Sequence, residues 1–113
     1  MSHRIFQVNE LIRQELSKLF LTELEFPSDC LVTILKVETS KDLRNAKVWF
    51  SVLPVKYTKK VSNKLNSNSG HLHFLLKKKL SMNPLPRLFF AFDDTEAKAA
   101  DIESLLDRIR KEE

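Results

Sequence analysis

The chain contains a single glycine, Gly70, among its 113 residues. A phosphate-binding P-loop and a dinucleotide-binding fingerprint each require at least two glycines within one short motif. Neither motif can exist here, so nucleotide-dependent chemistry that is built on such loops is excluded. The single cysteine, Cys30, also excludes an internal disulfide and is typical of proteins from a reducing compartment.

The spacing of apolar residues alternates between a helical period and a strand period along the chain. Steps of three and four residues predict helices over 3–24, 57–69, 71–81 and 94–110, and in the first of these Leu11 is expected to widen the buried stripe. Alternating or β-branched residues predict strands over 31–39, 46–52 and 87–92. The first two strands are expected to form an antiparallel hairpin, and the third is expected to be buried on both faces.

These elements predict one α+β domain over residues 1–113, with a core over about 4–93 and an acidic C-terminal helix over about 94–110. Gly70 interrupts the second helical region, so the order is helix, strand, strand, helix, kink, helix, strand, helix. We expect a three-stranded sheet with the helices packed on one face. No apolar run is long enough to span a membrane.

The charges are distributed unevenly along the chain. Residues 57–92 hold seven basic and no acidic side chains, whereas residues 1–56 carry a net charge of +1 and residues 93–113 a net charge of −4. A basic block without carboxylates indicates a polyanionic partner. The alternative interpretation is a solvated lysine face with no specific partner.

Candidate catalytic groups give no case for an enzyme, and no metal or cofactor is expected. His71 and His73 point about 200° apart on a regular helix, so they cannot chelate one metal ion together. Cys30 is interpreted as a small buried apolar residue. Asp93 and Asp94 are interpreted as helix-capping residues at a strand-to-helix junction.

The candidate phosphate contacts lie on both sides of the predicted kink. Lys77 and Lys78 should face outward, because leucines occupy the inner side of their helix. The predicted binding residues are Lys59, Lys60, Lys64, Asn68, Ser69, Gly70, Lys77, Lys78, Lys79 and Arg87, and weaker candidates are Arg4, Arg13, Lys41, Arg44 and Lys47. Trp49 could stack on a base, but packing beneath a helix or partly over the sheet is the favoured interpretation.

Five segments resemble one known family in order and spacing, over about residues 4–109. They are 8–16 (VNELIRQEL), 31–34 (LVTI) with 37–43 (VETSKDL), 46–52 (AKVWFSV), 69–70 (SG) followed by Leu75, Lys78 and Leu80, and 86–94 (PRLFFAFDD). Together they resemble the ribosome-binding factor A family, which has a type II KH-like fold. That family replaces the Gly-x-x-Gly loop of KH domains with a kink of the Ala-x-Gly type, which here reads Asn68-Ser69-Gly70.

The resemblance implies a non-catalytic assembly factor that binds 16S ribosomal RNA in the small ribosomal subunit during late maturation. It also implies a role in growth in the cold, and a monomer when the protein is free. The resemblance implies a bacterial cytoplasm or an organelle matrix as the location, and the cytoplasm is the expected one, since no transit-like leader is evident. The alternative from another class is a protein-interaction module whose basic face binds an acidic partner protein.

Overall fold

The computed structural model describes residues 3–82 and 84–93. In chain order these form α1 (His3–Glu23), β1 (Leu31–Thr39), β2 (Asn45–Leu53), a 3-10 turn (Val55–Tyr57), α2 (Thr58–Ser67), α3 (Ser69–Leu80) and β3 (Arg87–Phe92). The architecture is the predicted α+β, type II KH-like one. The predicted acidic helix over 94–110 lies outside the described residues.

The three strands form one sheet in the order β1-β2-β3, so β2 is central. The first two strands pair antiparallel, as predicted, with Leu31 opposite Leu53 and a register shift between Ile34 and Lys36. The second and third strands pair in parallel, with Asn45 opposite Arg87. Because parallel neighbours need a long connection, α2 and α3 serve as the crossover between β2 and β3.

One hydrophobic core lies between the sheet and the helices. Each helix contributes a stripe of residues at three- and four-residue steps, which places them on one face. The buried side chains include Val8, Ile12, Leu16, Leu19, Val48, Phe50, Val52, Val61, Leu65, Leu72 and Leu76. No helix within the described ranges is both long and apolar enough to cross a bilayer.

Two predictions about burial are wrong. Leu11 is 44% exposed, because it lies at the edge of the α1 stripe rather than within it. The prediction that β3 is buried on both faces also fails, since Phe89 is 48% exposed. On this edge strand Leu88 and Phe90 point toward the helices, and the Phe90 ring lies 6.2 Å from that of Phe20.

The kink is confirmed, but it lies before Gly70 rather than at it. The second helix ends at Ser67, and Asn68 separates it from α3 with φ −104° and ψ 5°. Both the backbone N–H and the side-chain Nδ2 of Asn68 donate to the Lys64 carbonyl, at 3.1 and 2.8 Å. Asparagine forms such local bonds readily and so competes with regular helix. Gly70 has an ordinary backbone conformation in the first turn of α3.

Candidate nucleic-acid interface

The outer face of α3 is basic, as the sequence predicts. Leu72 and Leu76 are completely buried and define the inner side of this helix. Lys77 and Lys78 are exposed, and the helical period places them on the side away from the core. They therefore offer their ammonium groups to solvent rather than to the protein interior.

Phe74 is an exposed aromatic residue that the sequence reasoning missed. Its side chain is 57% exposed, and the Lys78 Nζ lies 5.4 Å from its ring centroid. The signal was available: Phe74 lies midway between Leu72 and Leu76 in sequence, which puts it on the opposite side of the helix from both. This outer face thus combines two cations with an aromatic surface.

The three lysines of α2 lie in two different environments. Lys59 and Lys60 are exposed, whereas Lys64 is half-buried. Lys64 Nζ donates to the Glu25 carbonyl and lies 6.0 Å from the Phe26 ring, so it ties α2 to the segment after α1. Lys64 therefore stabilises the fold by connecting these two segments.

Lys79 also contacts α1, through an ion pair. Its Nζ lies 3.8 Å from Glu15 Oε2 on α1. His71 Nε2 lies 3.9 Å from Glu23 Oε2 in the same way, which shows that α3 runs antiparallel to α1. Within the described part of the chain, the helical lysines with neither an ion pair nor a side-chain hydrogen bond are Lys59, Lys60, Lys77 and Lys78.

The three predicted kink residues differ in what they can offer a ligand. Asn68 uses its side-chain amide on Lys64, and the Ser69 hydroxyl donates to the Asn66 carbonyl at 3.1 Å. Gly70 is exposed, and a Cβ added to it meets no described atom within 4 Å. The open backbone at this bend is therefore that of Gly70.

Gly70→Ala should stabilise the fold. The site has a helical backbone and room for a methyl group, so the substitution removes unfolded-state freedom without strain. We expect the free energy of unfolding to rise by about 0.5–1 kcal/mol in urea denaturation. A loss of stability would show that the fold itself needs a glycine at this position.

We call the outer surfaces of α2 and α3, with Lys59, Lys60, Phe74, Lys77 and Lys78, the helical face. The remaining predicted contacts do not lie on it. Arg87 and Lys47 lie on the other side of the sheet, at register positions that face away from the core. Arg4, Lys41 and Arg44 lie near the start of α1 and the β1–β2 turn. The predicted cations thus belong to three surfaces rather than one.

Arg13 forms an ion pair with a neighbouring side chain of α1. Its Nη2 lies 2.9 Å from Glu10 Oε2. This hydrogen bond lowers the pKa of Glu10 and raises the pKa of Arg13. The charge of Arg13 is therefore locally compensated.

The structure describes most of the side chains considered for catalysis, and Asp94, a predicted helix cap, lies outside the described residues. Cys30 is half-buried, so its predicted burial is only partial, and desolvation raises the pKa of its thiol, which disfavours the nucleophilic thiolate. The hydrogen bond from the Tyr57 hydroxyl to Asp29 raises the pKa of Tyr57. His73 Nε2 lies 3.3 Å from the Leu85 carbonyl oxygen. No cluster of three His, Cys, Asp or Glu side chains suited to a metal ion occurs among the described residues.

Trp49 does not pack beneath a described helix. It alternates with the buried Val48 and Phe50, so it lies on the opposite face of β2 and is half-buried. Its Nε1 donates to Glu38 Oε1 at 2.8 Å. The indole therefore covers part of the open side of the sheet, which was one of the two forms of packing considered.

Comparison with known proteins agrees with this fold. A family model described as Ribosome-binding factor A matches residues 4–106. The ribosome-binding factor A of Akkermansia muciniphila is 35% identical over 98% of this chain and 88% of its own. That of Burkholderia cenocepacia is 38% identical over 92% of this chain and 78% of its own.

Solved structures show the same architecture. The crystal structure of Thermus thermophilus ribosome-binding factor A matches with a TM-score of 0.66 at 23% identity, covering 77% of this chain and 93% of the other. A homology model of the T. thermophilus protein, fitted into a cryo-EM map of its complex with the 30S subunit, matches with a TM-score of 0.67 at 23% identity, covering 83% and 96%. The family is named for binding rather than for a reaction, in agreement with the prediction that the chain is not an enzyme. The chain belongs to the ribosome-binding factor A family.

Proposed function

We propose that this protein is an assembly factor of the small ribosomal subunit that binds 16S ribosomal RNA during late maturation. The observation that carries the proposal is the outward orientation of Lys77 and Lys78, with Lys59 and Lys60, on a segment without a single carboxylate. Such a surface attracts phosphates and offers them no like charge. The 30S complex of the T. thermophilus relative supports the choice of partner.

Each part of the helical face has a distinct task in this proposal. The four lysines bind phosphates, which fixes position but reads no sequence. Phe74 stacks on an unpaired base, since an exposed ring next to cations is typical of surfaces that bind single-stranded RNA. Gly70 leaves room for the RNA backbone at the bend.

Binding should weaken steeply with salt. If the four lysines neutralise about four phosphates, the logarithm of the association constant should fall with the logarithm of salt concentration at a slope of roughly −2.8 to −3.6. The measurement is the affinity of the full chain for isolated small subunits across a series of KCl concentrations. A flat response would contradict an RNA interface that is built from lysines.

Two further measurements sharpen the test. Gly70→Ala should bind small subunits more weakly although it is the more stable protein, because its methyl group occupies the space that the RNA backbone needs. Nuclease treatment before a pull-down should abolish association with subunit components. Association that survives the nuclease would favour an acidic protein partner instead.

We also propose the setting in which this domain works. Residues 1–113 act as a single RNA-binding unit that is monomeric when free, and the site of action is the bacterial cytoplasm. A requirement for growth in the cold follows from the same role, since misfolded RNA helices persist longest at low temperature. Deletion should therefore slow growth more at low than at optimal temperature.

A further inference from the structure

The side of the sheet that faces away from the described helices carries two aromatic rings. Phe89 on β3 is opposite Lys47 on β2, and Trp49 follows two residues after Lys47, so both rings lie on this face. Phe89 is 48% exposed and Trp49 is half-buried. The described helices pack against the other side, where Val48 and Leu88 are buried. An exposed aromatic pair of this kind needs an explanation.

Cations surround both rings. The Lys47 Nζ lies 4.4 Å and the Lys36 Nζ 5.5 Å from the centroid of Trp49. The Arg87 guanidinium carbon lies 5.9 Å from the centroid of Phe89. The nearby carboxylate is that of Glu38, which accepts the Trp49 N–H and forms an ion pair with Lys36 at 3.3 Å. Glu38 therefore orients the indole, and its charge is compensated.

A shallow groove lies beside the rings. It has a volume of about 530 Å³, and Asn45, Lys47 and Phe89 are among the residues that line it. Its volume is within the range of small-ligand sites, which is roughly 300–1,000 Å³. Polar side chains with hydrogen-bonding capacity thus adjoin the exposed face of Phe89.

We propose that this sheet face, formed by Lys36, Lys47, Trp49, Arg87 and Phe89, is a second RNA-binding surface that takes a single-stranded segment. Unpaired bases stack on Trp49 and Phe89, and Lys47 and Arg87 bind the intervening phosphates, whereas Lys36 is paired with Glu38 and flanks the indole. The pattern of alternating rings and cations matches the alternating bases and phosphates of an unpaired strand. This inference rests on the proposed function for its RNA partner, but it uses a surface separate from α2 and α3.

Trp49 makes the inference directly measurable. It is the only tryptophan in the chain, so the intrinsic tryptophan fluorescence reports on this face alone. We expect a short oligouridine, which is unstructured, to quench the emission of the full-length protein in a saturable manner. Phe89→Ala should weaken oligouridine binding about fivefold or more, as expected for the loss of one stacked base. Unchanged emission, or quenching that Phe89→Ala does not weaken, would overturn the proposal.

Phe6→Ala is the matched control. Phe6 is 61% exposed on α1 and lies outside both proposed surfaces, so its removal should leave the oligouridine affinity unchanged. An equal loss in both phenylalanine variants would contradict a specific stacking site.

Acrylamide quenching of Trp49 fluorescence in the free protein shows whether something other than RNA covers this face. Strong quenching at all protein concentrations supports an open RNA-binding surface. Shielding that is independent of protein concentration would assign the face to residues 94–113 of the same chain. Shielding that grows with concentration would assign it to a second copy. Either form of shielding would overturn the proposal.

The two RNA surfaces can fail independently. Charge reversal of Lys77 and Lys78 should weaken binding to small subunits and leave oligouridine quenching of Trp49 intact. If subunit binding follows the predicted salt slope but oligouridine does not change the fluorescence of Trp49, the proposal for the sheet face fails and the proposal for the helical face stands. The converse pattern would leave the sheet surface as an RNA site and remove the proposed role of the helices.

Discussion

Charge reversal of Lys77 and Lys78 to glutamate should weaken binding to the small subunit by roughly 30-fold or more. At about 0.1 M salt, each phosphate contact contributes on the order of 0.7–0.9 logarithmic units through counterion release, so two lost contacts account for that factor. Repulsion by the new carboxylates adds to it. Both lysines are exposed on α3, so circular dichroism and urea denaturation should show an intact fold. Sedimentation with isolated small subunits measures the affinity.

Net charge alone must be separated from position. The control is the same reversal at Lys18 and Lys41, which changes the total charge equally but lies on α1 and in the β1–β2 turn, outside α2 and α3. We expect only a small loss of affinity in this control. Equal losses of affinity in the two double variants would mean that binding depends on the net charge of the protein rather than on the face we propose.

Phe50→Ala should lower the free energy of unfolding by about 3–5 kcal/mol. Phe50 lies on the central strand, is 1% exposed and has its ring centroid 5.9 Å from that of Phe92. Truncation removes buried apolar area and leaves a cavity that the packed sheet and helices cannot close. Urea denaturation monitored by circular dichroism provides the measurement.

Phe74→Ala is the counterpart of this substitution. The same chemical change on a side chain that is 57% exposed should alter stability by no more than about 0.5 kcal/mol. In the proposed function it should instead reduce the affinity for small subunits. A large loss of stability at Phe74, or a small one at Phe50, would contradict the burial pattern on which the interface rests.

Periodicity predicts most of the fold because each element has one clearly apolar side. The α1 stripe and the hairpin pairing follow directly from spacing and alternation. Two details do not follow from periodicity. Phe89 is as apolar as Phe90, and it is exposed because it points to the side of the sheet that no described helix covers. The break falls at Asn68 because its side chain competes locally for the Lys64 carbonyl.

The proposed binding face was predicted less completely than the fold. Composition identified the basic block, and helical period placed Lys77 and Lys78 outward. Charge counting could not reveal that Lys64 and Lys79 contact the α1 region, since those partners lie far away in sequence. It also placed Arg87 with the helices, although the alternation along β3 directs it to the opposite side of the sheet.

The parallel pairing of β2 and β3 limits how this protein can vary. The chain must return along the sheet between Leu53 and Arg87, and the two lysine-bearing helices are that return path. A recognition loop at a hairpin tip tolerates insertions, but a segment that spans two adjacent strands has its length set by the distance it must cover. Changes in the RNA affinity of the two helices should therefore arise from substitutions on their outer surface, while insertions or deletions in this return path should disrupt strand pairing first.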